Sequence, residues 1–281
     1  MEKKTLIDSA TLAAHLHDPH WLIVDVRHTL ADVEAGRRAY ADAHILGAFF
    51  LHLDRDLSAV PNGSNGRHPL PSAAAFCQRL RAIGLDADKS VAIYDDAGGM
   101  FAARLWWMLR WIGFFNAAVL DGGWHKWQRE NRPTSSAVPQ AVHSDFHGFA
   151  QDAMQVNAAY VAAHLQAPDM LLLDARSPDR FRGQNETLDP VGGHIPGAGN
   201  RFFQSNLDAG GCFKSAGELR QEFQHLLGTH SPQQVVHQCG SGVTACHNLL
   251  AMEVAGLHGS RLYPGSWSEW CSDPVRPISI D

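Results

Sequence analysis

Short apolar runs alternate along this chain with segments of helical period. Leu22-Ile23-Val24-Asp25-Val26, Val91-Ala92-Ile93-Tyr94, Leu171-Leu172-Leu173 and Val235-Val236 carry no helical spacing and are bounded by turn residues. Such runs predict short strands buried on both faces. Phe76, Leu80 and Ile83 fall at i, i+4 and i+7, and Leu219, Phe223, Leu226 and Leu227 repeat the pattern, which predicts two helices with one buried face each. Strands alternating with helices need crossover connections, so the expected class is α/β, each sheet mainly parallel and flanked by helices on both faces.

The pattern is written twice. Leu22 to Arg27 matches Leu171 to Arg176 at an offset of 149, and His44-Ile45-Leu46-Gly47-Ala48 matches His194-Ile195-Pro196-Gly197-Ala198 at 150. Val91 to Asp95 matches Val235 to Cys239 at 144, and Trp127 matches Trp270 at 143. The first half therefore carries about six extra residues between Ala48 and Ser72, by the difference of those offsets. Turn-rich sequence from Asn131 to Val138 precedes the second copy. The expected division is a first domain over residues 1–140, a linker over 141–152 and a second domain over 153–281.

Composition narrows the function classes. A chain of 281 residues with 45% hydrophobic and 19% charged positions can bury two cores, which excludes global disorder. Its 23 Lys and Arg against 29 Asp and Glu give a formal charge of -6, which argues against a nucleic-acid partner. Met1-Glu2-Lys3-Lys4 is followed by no apolar run before Leu22, so neither a signal segment nor a membrane span is expected and the setting is taken as cytoplasmic. Cys77, Cys212, Cys239, Cys246 and Cys271 are odd in number and irregular in spacing, unlike a secreted disulfide framework.

The repeat breaks where chemistry is expected. Ligands of open parallel sheets bind at the carboxyl ends of the strands, and there the first half has Asp95 and the second Cys239. Gly240-Ser241-Gly242-Val243-Thr244 lets the backbone curl so that N–H groups converge, and the helix that follows points its positive end at the same place. A sulfur held there is bound as an anion, which makes Cys239 a candidate nucleophile rather than a packing cysteine. A metal set of His237, Cys239, Cys246 and His247 lacks ligand spacing. A phosphatase loop needs an Arg clamp, and residues 240–247 contain none.

The duplicated Asp-x-Arg, the two His-Ile-x-Gly-Ala elements, Asp121-Gly122-Gly123-Trp124 and Gly265-Ser266-Trp267-Ser268-Glu269-Trp270 resemble the tandem rhodanese-domain sulfurtransferases. The loop Cys239 to Thr244 resembles the 3-mercaptopyruvate type, because thiosulfate enzymes usually place a basic pair where Gly240 and Ser241 stand. The resemblance implies two rhodanese-like domains, the first catalytically silent, and a two-step transfer from a small-molecule sulfur donor through a Cys239 persulfide. The donor would be 3-mercaptopyruvate or, alternatively, thiosulfate; the acceptor would be cyanide, a small thiol or a thioredoxin-like protein. A carrier that relays persulfide with little turnover is a further alternative. No metal or organic cofactor is implied.

Carried over by position, Ser241 would share a proton relay with Asp54 and His68, and Arg180 would grip the donor's carboxylate beside a cradle of Gly240, Gly242, Val243 and Thr244. Arg104 is read as structural and Cys246 as packed. The chain departs from the mercaptopyruvate pattern in one respect: Gln184 to Gly192 has no second arginine and carries Glu186 and Asp189 instead. Those acids are expected to weaken the grip on an anion.

Overall fold

A computed structural model describes residues 5–165 and 167–280; Met1-Glu2-Lys3-Lys4 lies outside them. The chain divides into two compact units. One takes the chain through Ala59, then Leu70–Gln151 and Ala209–Cys212; the other takes Val60–Pro69, Asp152–Asp208 and the chain from Phe213 onward. The stretch by which the first half exceeds the second thus contributes ten residues, 60–69, to the second unit.

The strands in chain order are β1 (Leu6–Ile7), β2 (Trp21–Asp25), β3 (His44–Ile45), β4 (Phe49–Phe50), β5 (Ser90–Tyr94), β6 (Ala117–Leu120), β7 (Thr134–Ser135), β8 (Leu171–Asp174), β9 (Gly199–Asn200), β10 (Val235–Gln238) and β11 (Arg261–Leu262). In the first unit five strands form a sheet in the order β1-β6-β5-β2-β4, every pair parallel. In the second the order is β11-β10-β8-β9, again all parallel, and a parallel bridge from Gln155 to Leu262 occupies the place that β1 holds in the first. An antiparallel pair, β3 with β7, has its counterpart in the bridge between His194 and Ser279. Both units are mixed α/β.

The periodic segments fold as their spacing requires. Phe76 and Leu80 are buried on the helix Ala73–Ala82, which ends just before Ile83, and Leu219, Phe223 and Leu227 are buried on Ala216–Leu227. Each helix begins at a serine, Ser72 or Ser215, whose side chain accepts a backbone N–H and so satisfies one of the donors a helix start leaves open. The Asp-x-Arg repeats serve the architecture. Arg27 binds Asp25 through Nε and Nη2 at 2.7 to 3.1 Å, donates to the Ala43 carbonyl at 2.7 Å and lies 4.4 Å from the Trp124 ring. Arg176 does the same with Asp174, the Gly193 carbonyl and Trp267. Both pairs are buried, so their hydrogen-bond geometry is what makes the charges tolerable at the strand ends. Arg104 is fully buried on the helix Met100–Trp111, whose Trp106, Trp107 and Trp111 are buried with it.

Candidate active site

Two strands end on the residues that distinguish the units. β5 delivers Asp95 and β10 delivers Cys239, each at the start of a loop that leads into a buried helix. The first loop shows what this turn binds. Both oxygens of Asp95 accept backbone N–H groups, from Ala97 and Gly99 at one oxygen and from Phe101 and Ala102 at the other, all at 2.8 to 2.9 Å. Burial pushes the Asp95 carboxyl up and these four donors pull against it. The unit thus fills its own anion cradle with a side chain.

In the second unit the same position holds Cys239, 2% exposed. Its N–H donates to the Ser266 hydroxyl at 3.1 Å, and its carbonyl accepts from Trp267 N–H at 3.0 Å. The Gly240 carbonyl accepts from Ser268 N–H at 2.9 Å. At Gly242 the backbone is left-handed, φ +76°, and an added Cβ would stand 2.4 Å from the Pro264 carbonyl oxygen, so the loop closes here only with glycine. Thr244 then leads into the helix Ala245–Val254, and Val243 is buried. On that helix Cys246 is fully buried and its thiol donates to the Gly242 carbonyl at 3.3 Å, a packing role.

Residues 66–68 line the loop from the far side. His68 Nδ1 lies 2.7 Å from the Ser241 hydroxyl, and both groups are buried. Arg67 N–H donates to the Ser268 hydroxyl at 3.0 Å. A Cβ placed on Gly240 would stand 2.8 Å from Arg67 Nη2 and 3.6 to 3.7 Å from the two terminal nitrogens of Arg180. Two guanidinium groups therefore converge on the residue next to Cys239. Arg67 is the residue near this loop that the sequence reading did not single out, since its partners Ser268 and Asp189 are far away in the chain.

The acids of 184–192 hold these arginines. Glu186 accepts from Arg180 Nε and Nη2 at 2.9 to 3.0 Å and from the N–H groups of Leu188 and Asp189 at 2.9 and 3.1 Å. Burial raises the Glu186 carboxyl, but the Leu188 N–H and Arg180 outweigh it and leave it below its usual range. Asp189 is ion-paired with Arg67 and lies 3.5 Å from Arg180 Nη2; burial sets its carboxyl above the usual range against the pull of Arg67. The acids bind Nη1 of Arg67 and the Nε–Nη2 edge of Arg180, whose Nη2 is shared with the Gly240 side. The edges nearest Gly240 are Nη2 of Arg67 and both terminal nitrogens of Arg180.

Asp54 lies in the first unit, on the short helix Leu53–Asp56. Its carboxylate and ring nitrogens of His28 and His52 are within 4.8 Å of one another, and this is the only such ligand-like group among the described residues. It does not suit a metal, because His52 already uses Nδ1 on the Asp54 N–H and Nε2 on the Val33 carbonyl. His237, buried in β10, is pushed down to about 3 and is neutral, with Nε2 3.1 Å from the Met252 sulfur.

Residues 8–130 and 157–273 each match the rhodanese-like domain family. The chain belongs to the rhodanese family. Of its relatives, a Pseudomonas aeruginosa protein named "Probable 3-mercaptopyruvate sulfurtransferase" is 44% identical, with 99% of either chain covered. A Mycobacterium tuberculosis protein named "Putative thiosulfate sulfurtransferase SseB" is 38% identical over 98% of this chain and 96% of its own. Among solved structures, 3-mercaptopyruvate sulfurtransferase from Leishmania major superposes with a TM-score of 0.84 at 32% identity, covering 96% of this rhodanese and 75% of that chain. This rhodanese thus pairs one domain whose loop holds a carboxylate with one whose loop holds a thiol. Among the described residues no helix is long and apolar enough to cross a membrane.

Proposed function

We propose that this rhodanese is a sulfurtransferase that moves a sulfane sulfur from 3-mercaptopyruvate, through a persulfide on Cys239, to cyanide or a small thiol. The observation that carries the reading is the convergence of Arg67 and Arg180 on Gly240. A guanidinium matches a carboxylate with two parallel hydrogen bonds, and two of them beside the nucleophile suit an α-keto acid. The Cys239 thiolate attacks the donor sulfur, the S–C3 bond breaks, and the electron pair leaves as pyruvate enolate. The proton released from the donor thiol reaches C3 through the Ser241 and His68 pair, which gives pyruvate and leaves a persulfide. Cyanide or a thiolate then takes the outer sulfur and restores Cys239. Gly242, Val243 and Thr244 shape the cradle that holds the persulfide charge, and the first domain, with Asp95 at the cysteine position, is silent.

Thiosulfate is the alternative donor, since two guanidiniums also attract a dianion. Glu186 and Asp189 favour the keto acid, because they offset both positive charges and leave less attraction for a second negative one. The acceptor extends by the same chemistry to thioredoxin-like proteins, and five cysteines that are all thiols rather than disulfides suit a reducing, cytoplasmic setting.

The test is sulfur transfer to cyanide from each donor in parallel, with intact mass recorded after donor alone. Mercaptopyruvate gives the higher kcat/KM and a gain of one sulfur; a preference for thiosulfate overturns the donor assignment. Asp54 enters the relay on the sequence resemblance, and Asp54→Asn checks it. The variant is expected to lower kcat about tenfold or more and to alter the pH–rate profile. An unchanged profile removes Asp54 from the relay.

A further inference from the structure

Three non-glycine residues among those described adopt a left-handed backbone: Asn131, Asn185 and Ser266, at φ +52°, +53° and +54°. Asparagine tolerates that region, and both asparagines are exposed on the surface. Ser266 is fully buried and has no such excuse. The duplication shows that the conformation belongs to the fold. Gly123 occupies the matching place in the first domain with φ +53°, and the residue after it, Trp124, donates its N–H to the Asp95 carbonyl at 2.8 Å as Trp267 does to that of Cys239 at 3.0 Å. A Cβ on Gly123 would stand 2.5 Å from the Asp95 carbonyl oxygen, so the silent domain keeps glycine. The domain with the thiol holds a strained serine instead.

The Ser266 hydroxyl donates to the Tyr263 carbonyl at 2.9 Å and accepts the Cys239 N–H at 3.1 Å. These two bonds fix the hydroxyl, and through the second they fix the backbone from which the reacting sulfur hangs. Backbone strain held at a buried site persists only where the surroundings impose it, and here it delivers a hydroxyl to the nucleophile's own amide. We propose that Ser266 is a positioning residue for Cys239: its Oγ anchors the cysteine backbone so that Sγ is aimed at the donor, and the strain of a side chain at a backbone position the fold shapes for glycine is the cost of having Oγ there. The inference rests on Cys239 being the sulfur acceptor.

Ser266→Ala and Ser266→Gly together separate positioning from packing. Both remove Oγ, but only alanine keeps the strain, so the glycine variant is expected to melt about 2–4 °C above the alanine variant, the reverse of the usual order. Single-turnover gain of one sulfur by mass is expected to slow about 10- to 100-fold in both, with KM for 3-mercaptopyruvate little changed, because misaiming a reacting atom is felt in the chemical step. A glycine variant that loads sulfur at the wild-type rate overturns the inference, as does a loading rate that follows the melting temperature from alanine to glycine. Failure of the underlying reading looks different: a Cys239→Ser variant would then still gain sulfur.

Discussion

Cys239→Ser is expected to abolish sulfur transfer, lowering turnover by at least about 10⁴-fold, with no gain of mass on exposure to donor. Loss of a covalent nucleophile is typically of this size. The physical reason is the atom rather than the fold. Serine fills the same buried space at the end of β10 and keeps the N–H bond to Ser266, so the cradle survives the change. Its hydroxyl is a poor anion at neutral pH and a poor partner for soft sulfur, and no persulfide forms. Melting within a few degrees of the wild type accompanies the loss. Residual transfer above one part in a hundred would assign the chemistry to another thiol and remove the proposed mechanism.

Replacing Arg67 is expected to lower kcat/KM for 3-mercaptopyruvate by about 10²-fold, and replacing Arg180 by a similar factor. Each guanidinium supplies charge-assisted hydrogen bonds of about 1.5–3 kcal/mol to a carboxylate, which converts to one or two powers of ten. The loss appears mostly in KM, since the carboxylate is bound equally before and during the reaction. Arg67→Ala alone would leave the buried Asp189 carboxylate with only Arg180, 3.5 Å away, to offset it, a destabilising change in its own right. The informative variant is therefore Arg67→Ala with Asp189→Asn, measured beside Arg67→Lys. Lysine restores the charge without the planar fork and recovers only part of the affinity. If the double variant binds donor as the wild type does, the second guanidinium is not part of the donor site.

Much of the fold was legible because strand and helix periodicity are local properties. The runs at Leu22, Val91, Leu171 and Val235 had no alternative to buried parallel strands, and two aligned copies of the pattern implied two sheets of like topology. The place of Cys239 was legible as well, since an apolar run before it and an apolar helical segment after its glycine-rich loop are both local patterns. Arg67 was not. Its partners are Ser268 and Asp189, 201 and 122 positions away, and nothing local distinguishes it from a solvated loop arginine. Charge alone marked the acids of 184–192 as weakening an anion site; the structure adds that Glu186 pairs with Arg180 and Asp189 with Arg67.

Sequence alone determined the duplicated α/β plan and the family, and it singled out Cys239 as the candidate nucleophile, all from residue types at short spacing or at a fixed offset. Tertiary structure decided which residues meet at the thiol. Folding brings residues 60–69 into the second unit, sets His68 against Ser241, turns two guanidiniums toward Gly240 and twists Ser266 into the place of a glycine. Those outcomes come from chain closure over long separations and from the sharing of hydrogen bonds among buried groups, and neither leaves a periodic mark on the sequence.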